Sequence, residues 1–396
     1  MKVIIAGKND IAVDVLKHII DKMHLPVFVV LNKTDNFKNS FQKSLGYFAN
    51  KWEVPVVKLE DTYSFKNAIF LSLEFDRIIK PVLFNTKNLF NIHFSLLPSY
   101  KGMYTSAHPI LNGENESGVT LHKMDLGIDT GDIIDQTKIN ICYKDSARDL
   151  YLKYVKFGTE LVIKNLSSLL NNTFNSKMQV AENSTYFSKK SIDYKNLKVD
   201  FNQTAFQVSN QLRAYTFREY QLPKFNNIEL GSFFITKNKS LFHPGKIIKE
   251  SDYQIVISTI DFDMILNKDL FYLCCKYSKE NDFKSLKKLL NFNKINLEEK
   301  TIEGWTPLII AVYNGSYEST QLLIEAGADV NAHNYNFTSV LMYAKDEFLI
   351  SGSLKIIEKL IESNANILSK DIYERDVVDW VKNKNNYLYK YFKSKL

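Results

Sequence analysis

Residues 91–102 read Asn-Ile-His-Phe-Ser-Leu-Leu-Pro-Ser-Tyr-Lys-Gly. The first five alternate polar and apolar side chains, so on a strand Asn91, His93 and Ser95 project from one face. Pro98 and Gly102 then interrupt regular structure, because proline lacks an N–H donor and glycine adopts unusual dihedrals. This stretch predicts a strand that presents an amide and an imidazole together, followed by a turn back over the strand end.

A second polar cluster follows the predicted strand 119–124. Residues 125–132 hold three aspartates and two glycines in a tight loop, which would deliver a carboxylate to the imidazole. An amide and a protonated imidazole can bind an oxyanion while a carboxylate orients the imidazole and assists proton removal, so acyl transfer needs no covalent intermediate. Taken singly, Asn91, His93 and Asp129 are better explained as a turn residue, a core histidine and a loop former.

Taken together, these residues resemble the folate-dependent formyltransferases, whose motif is Asn-x-His-x-Ser-Leu-Leu-Pro-x-Tyr-Arg/Lys-Gly with a later Asp-x-Gly. The resemblance implies that Asn91, His93 and Asp129 are catalytic and that N10-formyltetrahydrofolate donates the formyl group. It also assigns the folate pocket to Phe75, Asp76, Arg77, Asp125, Leu126, Gly127, Ile128 and Asp129. Lys101, which stands where relatives often have arginine, is assigned to the amine substrate.

The N-terminal half has the pattern of an α/β fold with a parallel sheet. Strands are predicted at residues 3–6, 27–31, 56–59, 69–73 and 91–95, and a helix at 10–23 with Asn9 as its cap. A longer helix is predicted at 147–170, with a capping box formed by Ser146 and Asp149. The lone Gly7 is no dinucleotide fingerprint, so NAD is rejected. The fold class is a formyltransferase Rossmann-like parallel sheet, a small α+β middle region and an all-α ankyrin array.

The polar run 171–177 is interpreted as a boundary, which gives a catalytic domain at 1–177 and a middle region at 178–265. In the middle region, Arg213, Tyr215, Phe217 and Tyr220 precede Pro223. Alternating aromatic and guanidinium groups can stack a base and pair with a diphosphate. An amphipathic helix end packed on the catalytic domain explains them equally well. Resemblance to sugar-nucleotide N-formyltransferases favours the first interpretation. Short strands are predicted at 233–235, 245–249 and 253–260.

Residues 266–396 contain an internal repeat. Residues 304–311 and 322–332 resemble an ankyrin repeat, with Thr306-Pro307-Leu308 opening a helix and Gly327 to Asn331 forming the outgoing loop. Equivalent residues recur about 33 positions apart. Degenerate copies flank it at 268–298 and 365–395, as expected for the capping repeats of a short array. An insertion is predicted near 345–352.

Ankyrin arrays usually bind proteins, so a partner surface or a dimer contact is the default role of this region. Trp305 also suggests a second nucleotide site, because an exposed indole near Tyr313, Asn336 and Phe337 would stack a nucleobase. A tryptophan packed between repeats is the simpler explanation, and both are kept.

Composition narrows the classes of partner. The 396 residues have a net charge of +7, spread along the chain, which suits a nucleotide diphosphate but lacks the clustered lysines of a nucleic-acid surface. Three cysteines, of which two are adjacent, make neither a disulfide framework nor a zinc site, and no metal is predicted. No apolar run suggests a signal peptide or a membrane span, so a cytoplasmic protein is expected.

The whole architecture resembles bacterial sugar-nucleotide N-formyltransferases that end in ankyrin repeats. This resemblance implies formyl transfer to the amine of a dTDP-linked amino-dideoxy sugar, best matched by dTDP-3-amino-3,6-dideoxy-D-glucose, for O-antigen in lipopolysaccharide synthesis. It also implies a homodimer. Two alternatives stay open: an ankyrin interaction protein with an inactive formyltransferase scaffold, and a methionyl-tRNA formyltransferase. The latter would need a basic C-terminal domain for RNA, where this chain has ankyrin repeats.

Overall fold

A computed structural model of the protein describes residues 1–180, 182–292 and 295–396. It divides into two compact units, Met1–Leu266 and Asn267–Leu396. Positions 181, 293 and 294, which fall inside the predicted middle region and the predicted first repeat, lie outside the described residues. Within the described parts, none of the helices is both long enough and apolar enough to cross a membrane.

The first unit is built on a six-stranded mixed sheet with the order β2-β1-β3-β4-β6-β7. Its strands are β1 (Lys2–Gly7), β2 (Val27–Leu31), β3 (Ala68–Leu73), β4 (Leu89–His93), β6 (Glu116–Lys123) and β7 (Ile133–Asn140), while β5 is the short Lys101–Gly102. The first four strands pair in parallel, which confirms the predicted βαβ beginning. The sheet is mixed at one edge, where β6 runs antiparallel to β4 and β7 antiparallel to β6.

Helices cover both faces of this sheet. They are α1 (Asn9–His18), α2 (Leu45–Lys51), α3 (Leu59–Thr62), α4 (His108–Leu111) and α5 (Ala147–Asn171). The longest, α5, packs on α1 and starts at the predicted capping box, where the Ser146 side chain accepts from the Asp149 N–H. The main apolar cluster lies between these helices and alternate residues of the strands, such as Ile69, Leu71 and Ile92. A smaller cluster on the opposite face contains Phe70, Phe84 and Leu89.

Two local predictions were wrong. Asn9 is not the cap of α1: Lys8 occupies that position without a side-chain cap bond, and Asn9 has a φ of +77° and turns its amide into the protein. Residues 56–59 form no strand, because only Val56 bridges to Val29 before α3 begins at Leu59. In both places a tertiary contact overrides the local pattern, as is common for short segments.

The first unit extends beyond residue 177, as far as Leu266. Lys177 bridges to Ile133, and β8 (Tyr186–Phe187) pairs with β5. Helix α6 follows, and then a second sheet with the order β11-β12-β13-β10-β9. These elements are α6 (Ala205–Tyr215), β9 (Lys224–Phe225), β10 (Ile228–Lys239), β11 (Ile247–Glu250), β12 (Gln254–Ile257) and β13 (Phe262–Lys268). The α+β character predicted for this region is confirmed.

The second unit consists of paired helices. They are α7 (Leu270–Glu280), α8 (Phe283–Phe292), α9 (Pro307–Tyr313), α10 (Tyr317–Glu325), α11 (Val340–Ser351), α12 (Lys355–Glu362), α13 (Val377–Val381) and α14 (Asn386–Lys393). The Thr-Pro signature works as predicted, because Thr306 caps α9 and Pro307 occupies its first turn. Helix α11 has 12 residues where α9 has seven, so the predicted insertion lengthens this helix.

Candidate active site

The structure brings Asn91, His93 and Asp129 together. Asn91 and His93 lie on one face of β4, and Asp129 lies in the loop between β6 and β7. This loop begins beside the amino-terminal half of β4, where Lys123 pairs with Phe90, and folds back over the strand. His93 Nδ1 is 3.4 Å from Asp129 Oδ1, and both side chains are largely buried. The geometry is that of a carboxylate orienting an imidazole.

His93 is held at both ring nitrogens. Nε2 lies 2.9 Å from the Tyr100 carbonyl oxygen, in the turn that follows β4. A protonated ring can donate to this carbonyl and to Asp129 at the same time, whereas a neutral ring has only one N–H to donate. The arrangement therefore suits an imidazolium that can also hydrogen-bond a developing oxyanion once a substrate displaces one of these contacts.

Asp129 is fixed independently of the histidine. Its Oδ2 accepts from the Gly102 N–H at 3.0 Å, and its own carbonyl accepts from Gln179 Nε2 at 2.9 Å. Its φ of +56° is uncommon for a residue other than glycine or asparagine. Gly131 permits the close return of the loop, because a Cβ there would lie 2.0 Å from the Lys123 carbonyl oxygen. The loop sequence therefore serves to place one carboxylate.

A second histidine belongs to this cluster. His122 pairs with Asn91 across the β4–β6 ladder, and Asn91 Nδ2 lies 3.1 Å from His122 Nε2. His122 Nδ1 donates to the Lys123 carbonyl at 2.6 Å, which leaves Nε2 unprotonated to accept from Asn91. Burial, and then the charge of nearby His93, lower the pKa of His122 to about 4. His122 thus orients the Asn91 amide so that its other N–H is free for an oxyanion.

Sequence reasoning did not select His122. The alternation in residues 119–124 gave a signal, since Thr120 and His122 share a strand face. What was missing was the antiparallel register that sets His122 opposite Asn91.

His122 should make the protein sensitive to acid. Because its pKa is lower in the folded state than the usual 6.5, the unfolded chain binds the proton more readily, and stability falls as pH drops from about 6.5 towards 4. A shift of this size corresponds to a loss on the order of 3 kcal/mol. Urea unfolding at pH 7.5 and pH 4.5 would measure it. The variant His122→Gln should show a smaller difference between the two pH values, and an unchanged difference would contradict this explanation.

The predicted folate residues lie on two adjoining segments. Phe75, Asp76 and Arg77 follow β3; Asp76 Oδ2 accepts from the Lys33 N–H at 2.8 Å, and the Arg77 guanidinium lies over the Phe75 ring at 4.7 Å. In the 125–129 loop, Asp125 Oδ1 accepts from the Gly127 N–H at 3.0 Å, and Leu126 and Ile128 are exposed. Exposed apolar side chains beside polar ones suit a flat heterocycle.

The predicted substrate residues do not lie together. Lys101 is half-buried on β5 and directly precedes Gly102, whose N–H donates to Asp129. Tyr215 is half-buried at the end of α6. Phe217 and Tyr220 pack on each other at 4.8 Å between ring centres and form an aromatic group with Phe41.

Arg213 does not face a ligand. Its guanidinium donates to the Asp145 carbonyl at 2.8 Å and to Asn210 Oδ1 at 2.6 Å, and only 5% of the side chain is exposed. Its place on the buried side of α6 makes it an anchor between this helix and the loop before α5. The assignment of Arg213 to diphosphate binding is therefore wrong. This residue instead packs the end of the helix on the catalytic domain, which was the alternative explanation.

In the second unit, the structure brings together part of the predicted nucleotide cluster. The Trp305 ring centre is 4.9 Å from that of Tyr313 and 5.2 Å from that of Tyr343, which the sequence did not suggest. Phe337 packs on His333 instead, at 4.9 Å, and the Asn336 backbone bonds to Asn334 and Ile372. Trp305 is half-buried.

Comparison with known proteins agrees with this geometry. Residues 49–166 match the formyl transferase family, and residues 271–371 match three copies of the ankyrin repeat. A methionyl-tRNA formyltransferase of Staphylococcus epidermidis is 30% identical over 250 residues, which are 60% of this chain and 80% of that protein. The chain belongs to the formyltransferase family. The ankyrin repeats and the enzyme class predicted from the sequence are confirmed.

Two solved structures of this formyltransferase family are more similar still. WlaRD, a sugar 3N-formyl transferase crystallised with dTDP and 5-N-formyl-THF, is 44% identical, with a TM-score of 0.64 over 68% of this chain and 98% of that one. An N-formyltransferase from Helicobacter canadensis, in complex with folinic acid and dTDP-3-aminofucose, is 45% identical, with a TM-score of 0.64 over 68% of this chain and 99% of that one.

Proposed function

We propose that this formyltransferase transfers the formyl group of N10-formyltetrahydrofolate to the amine of a dTDP-linked 3-amino-3,6-dideoxyhexose. The observation that carries the proposal is the pair of sugar N-formyltransferases at 44% and 45% identity, matched over almost their whole length. The methionyl-tRNA enzyme is 30% identical over a smaller share of its own chain. The product would be a formamido sugar nucleotide for O-antigen and lipopolysaccharide synthesis.

The residues around Asp129 fit a formyl-folate. Leu126 and Ile128 are exposed at 82% and 45%, so they offer apolar contact to a pteridine ring beside the polar Asp125 turn. Arg77 Nε is buried without a hydrogen-bond partner and would be satisfied by a polar group of a ligand. When bound, the folate supplies the activated formyl group. The protein's residues bind it and hold the reacting carbonyl next to His93.

Each member of the cluster has a role in this transfer. The acceptor's neutral amine attacks the formyl carbon, and negative charge develops on the formyl oxygen. His93 and the Asn91 amide donate hydrogen bonds to that oxygen, and Asp129, 3.4 Å from His93, stabilises the imidazolium and assists removal of the amine proton. His122 is a positioning residue, because it acts through Asn91.

The test is a formyl-transfer assay with N10-formyltetrahydrofolate and several acceptors: dTDP-3-amino-3,6-dideoxyglucose, its galactose epimer, the 4-amino isomer and methionyl-tRNA. We expect turnover of a 3-amino sugar well above that of the other two classes, with the two epimers ranked by kcat/KM. Preference for methionyl-tRNA would contradict the proposal and indicate a methionyl-tRNA formyltransferase. Absence of turnover with every acceptor, together with formyl-folate binding, would point to a different amine.

The aromatic group of the second unit supports a second nucleotide site. Trp305, Tyr313 and Tyr343 lie within 6 Å of one another, and Asn334 Nδ2 donates to the Tyr343 hydroxyl at 2.9 Å. We expect calorimetry of the full chain with dTDP to give two equivalents per chain, and Trp305→Ala to remove one of them. Trp380→Ala is the matched control. If Trp305→Ala alters neither binding nor turnover, the ankyrin site should be dropped.

The homodimer is a separate prediction, which sedimentation equilibrium tests.

A further inference from the structure

Glu74 lies beside His93 at the carboxyl end of the sheet. Leu73 and Ile92 are paired in the parallel β3–β4 ladder, and Glu74 and His93 are the residues that follow them. Adjacent strands are about 5 Å apart, so the two residues are neighbours at this end of the sheet. A group bound over that end lies between the Glu74 side chain, which turns towards α5, and His93 on the other face of β4.

The Glu74 carboxylate is held by one of its oxygens. Oε2 accepts from Asn9 Nδ2 at 2.6 Å and from the Tyr151 hydroxyl at 2.9 Å, and Asn9 also bonds to Tyr151. Gln42 Nε2 donates to the same hydroxyl at 2.8 Å. Among the described residues, the hydrogen bonds to the Glu74 carboxylate all go to Oε2, and Glu74 is half-buried. A carboxylate fixed at one oxygen and open at the other is arranged to accept a hydrogen bond from a ligand.

Two residues of this network have a left-handed backbone conformation. Asn9 has a φ of +77° and Glu74 a φ of +58°, conformations that cost a residue with a Cβ roughly 1 kcal/mol or more. Asn32 stabilises the second of them by donating to the Glu74 carbonyl at 2.9 Å. These backbone conformations direct both side chains towards α5, where they hydrogen-bond to the Tyr151 hydroxyl.

The network adjoins the residues assigned to the acceptor. The Tyr151 ring is 5.4 Å from Phe217, which packs on Tyr220. A cavity of about 450 Å³ opens beside it, lined in part by Asn9, Phe41 and Tyr151. Tyr151 thus connects Glu74 to the aromatic group that would stack the nucleotide base.

We propose that Glu74 binds the protonated amine of the acceptor next to His93 and takes its proton, so that the neutral amine attacks. This role rests on the proposed function. In the step, one N–H bond of the ammonium breaks, its electron pair stays on nitrogen, and the proton forms an O–H bond at Glu74. The proton then leaves to water after the product departs.

The charges that face Glu74 are compatible with this role. Burial raises the pKa of Glu74, while Lys8 and the hydrogen bonds from Asn9 and Tyr151 oppose the rise and Asp10 adds to it. Tyr220 also interacts electrostatically with Glu74. A carboxylate with a raised pKa is a better proton acceptor at neutral pH than an ordinary surface glutamate.

The decisive experiment is the ratio of kcat/KM between the wild type and Glu74→Gln, measured with the acceptor sugar from pH 6 to pH 9.5. In the variant, only amine that is already neutral can react. Below the pKa of the amine, near 8 for α-amino groups, this fraction falls tenfold per pH unit. We expect a deficit of roughly 10-fold at pH 7 and about 100-fold at pH 6, which shrinks above pH 9. Effects that pH has on both enzymes alike cancel in the ratio.

Three further measurements make the result unambiguous. Glu74→Asp keeps a base and should restore the wild-type shape of the profile at a lower rate. The KM for formyl-folate should stay unchanged in both variants, which shows that the site is folded. Glu116→Gln, a carboxylate bonded to Lys138 on the outer strands, should leave the profile as it is. A ratio that does not vary with pH, or the absence of a deficit, overturns the role of Glu74. No transfer by the wild type overturns the proposed function instead.

Discussion

Replacing His93 with alanine should lower kcat at least 100-fold to 1,000-fold, the usual cost of removing one oxyanion donor. His93 contributes such a donor and is also the group through which Asp129 acts, at 3.4 Å, so the loss should fall at the upper end of that range. The KM values for both substrates should change little, because the interaction is strongest in the transition state. Steady-state kinetics with the preferred amino sugar would measure both.

The fold should survive this change. His93 makes one hydrogen bond to the Tyr100 carbonyl, in a turn that is separately fixed by the Tyr100 N–H bond to Thr185 at 2.7 Å. His108→Ala is a suitable control, since it removes another buried histidine, stacked on Phe187, that lies outside the cluster. Wild-type turnover by His93→Ala would exclude the proposed chemistry.

The strand residues of this site were predictable because strand geometry is periodic. Alternation in residues 91–95 places Asn91 and His93 on one face whatever the rest of the chain does. His122 was not predictable in the same way, because its contact with Asn91 depends on the register of an antiparallel pair 31 residues apart. Register is set by the whole sheet and its turns, which short patterns do not contain.

Asn9 and Arg213 show a different reason for failure. Asn9 follows the predicted strand 3–6 and precedes the predicted helix 10–23, so its local pattern is that of a helix cap, yet its amide bonds to Glu74 and Tyr151. Arg213 lies in an aromatic and basic segment typical of nucleotide binding, yet its guanidinium donates to backbone and amide oxygens of the interior. In both cases the side chain's partner comes from a distant segment, and composition does not reveal which partner it takes.

Asp129→Asn should lower kcat by at least 100-fold to 1,000-fold while changing the structure less than any other substitution in the cluster. Asparagine adopts a positive φ more readily than most residues, so the +56° of this position is accommodated. Its amide oxygen can still accept from the Gly102 N–H, as the carboxylate does at 3.0 Å. What disappears is the negative charge beside His93, and with it the stabilisation of the imidazolium that accompanies the oxyanion.

The measurement is a comparison of kcat with the free energy of unfolding for Asp129→Asn and Asp132→Asn. Asp132 lies three positions later in the same loop and is bonded to Lys123 and Ser176 rather than to His93. We expect the two variants to be similarly stable but to differ in kcat by about 100-fold or more. Equal kcat values would mean that the carboxylate at 129 only shapes the loop. Because asparagine preserves that shape, the difference in kcat isolates the charge as the quantity on which His93 depends.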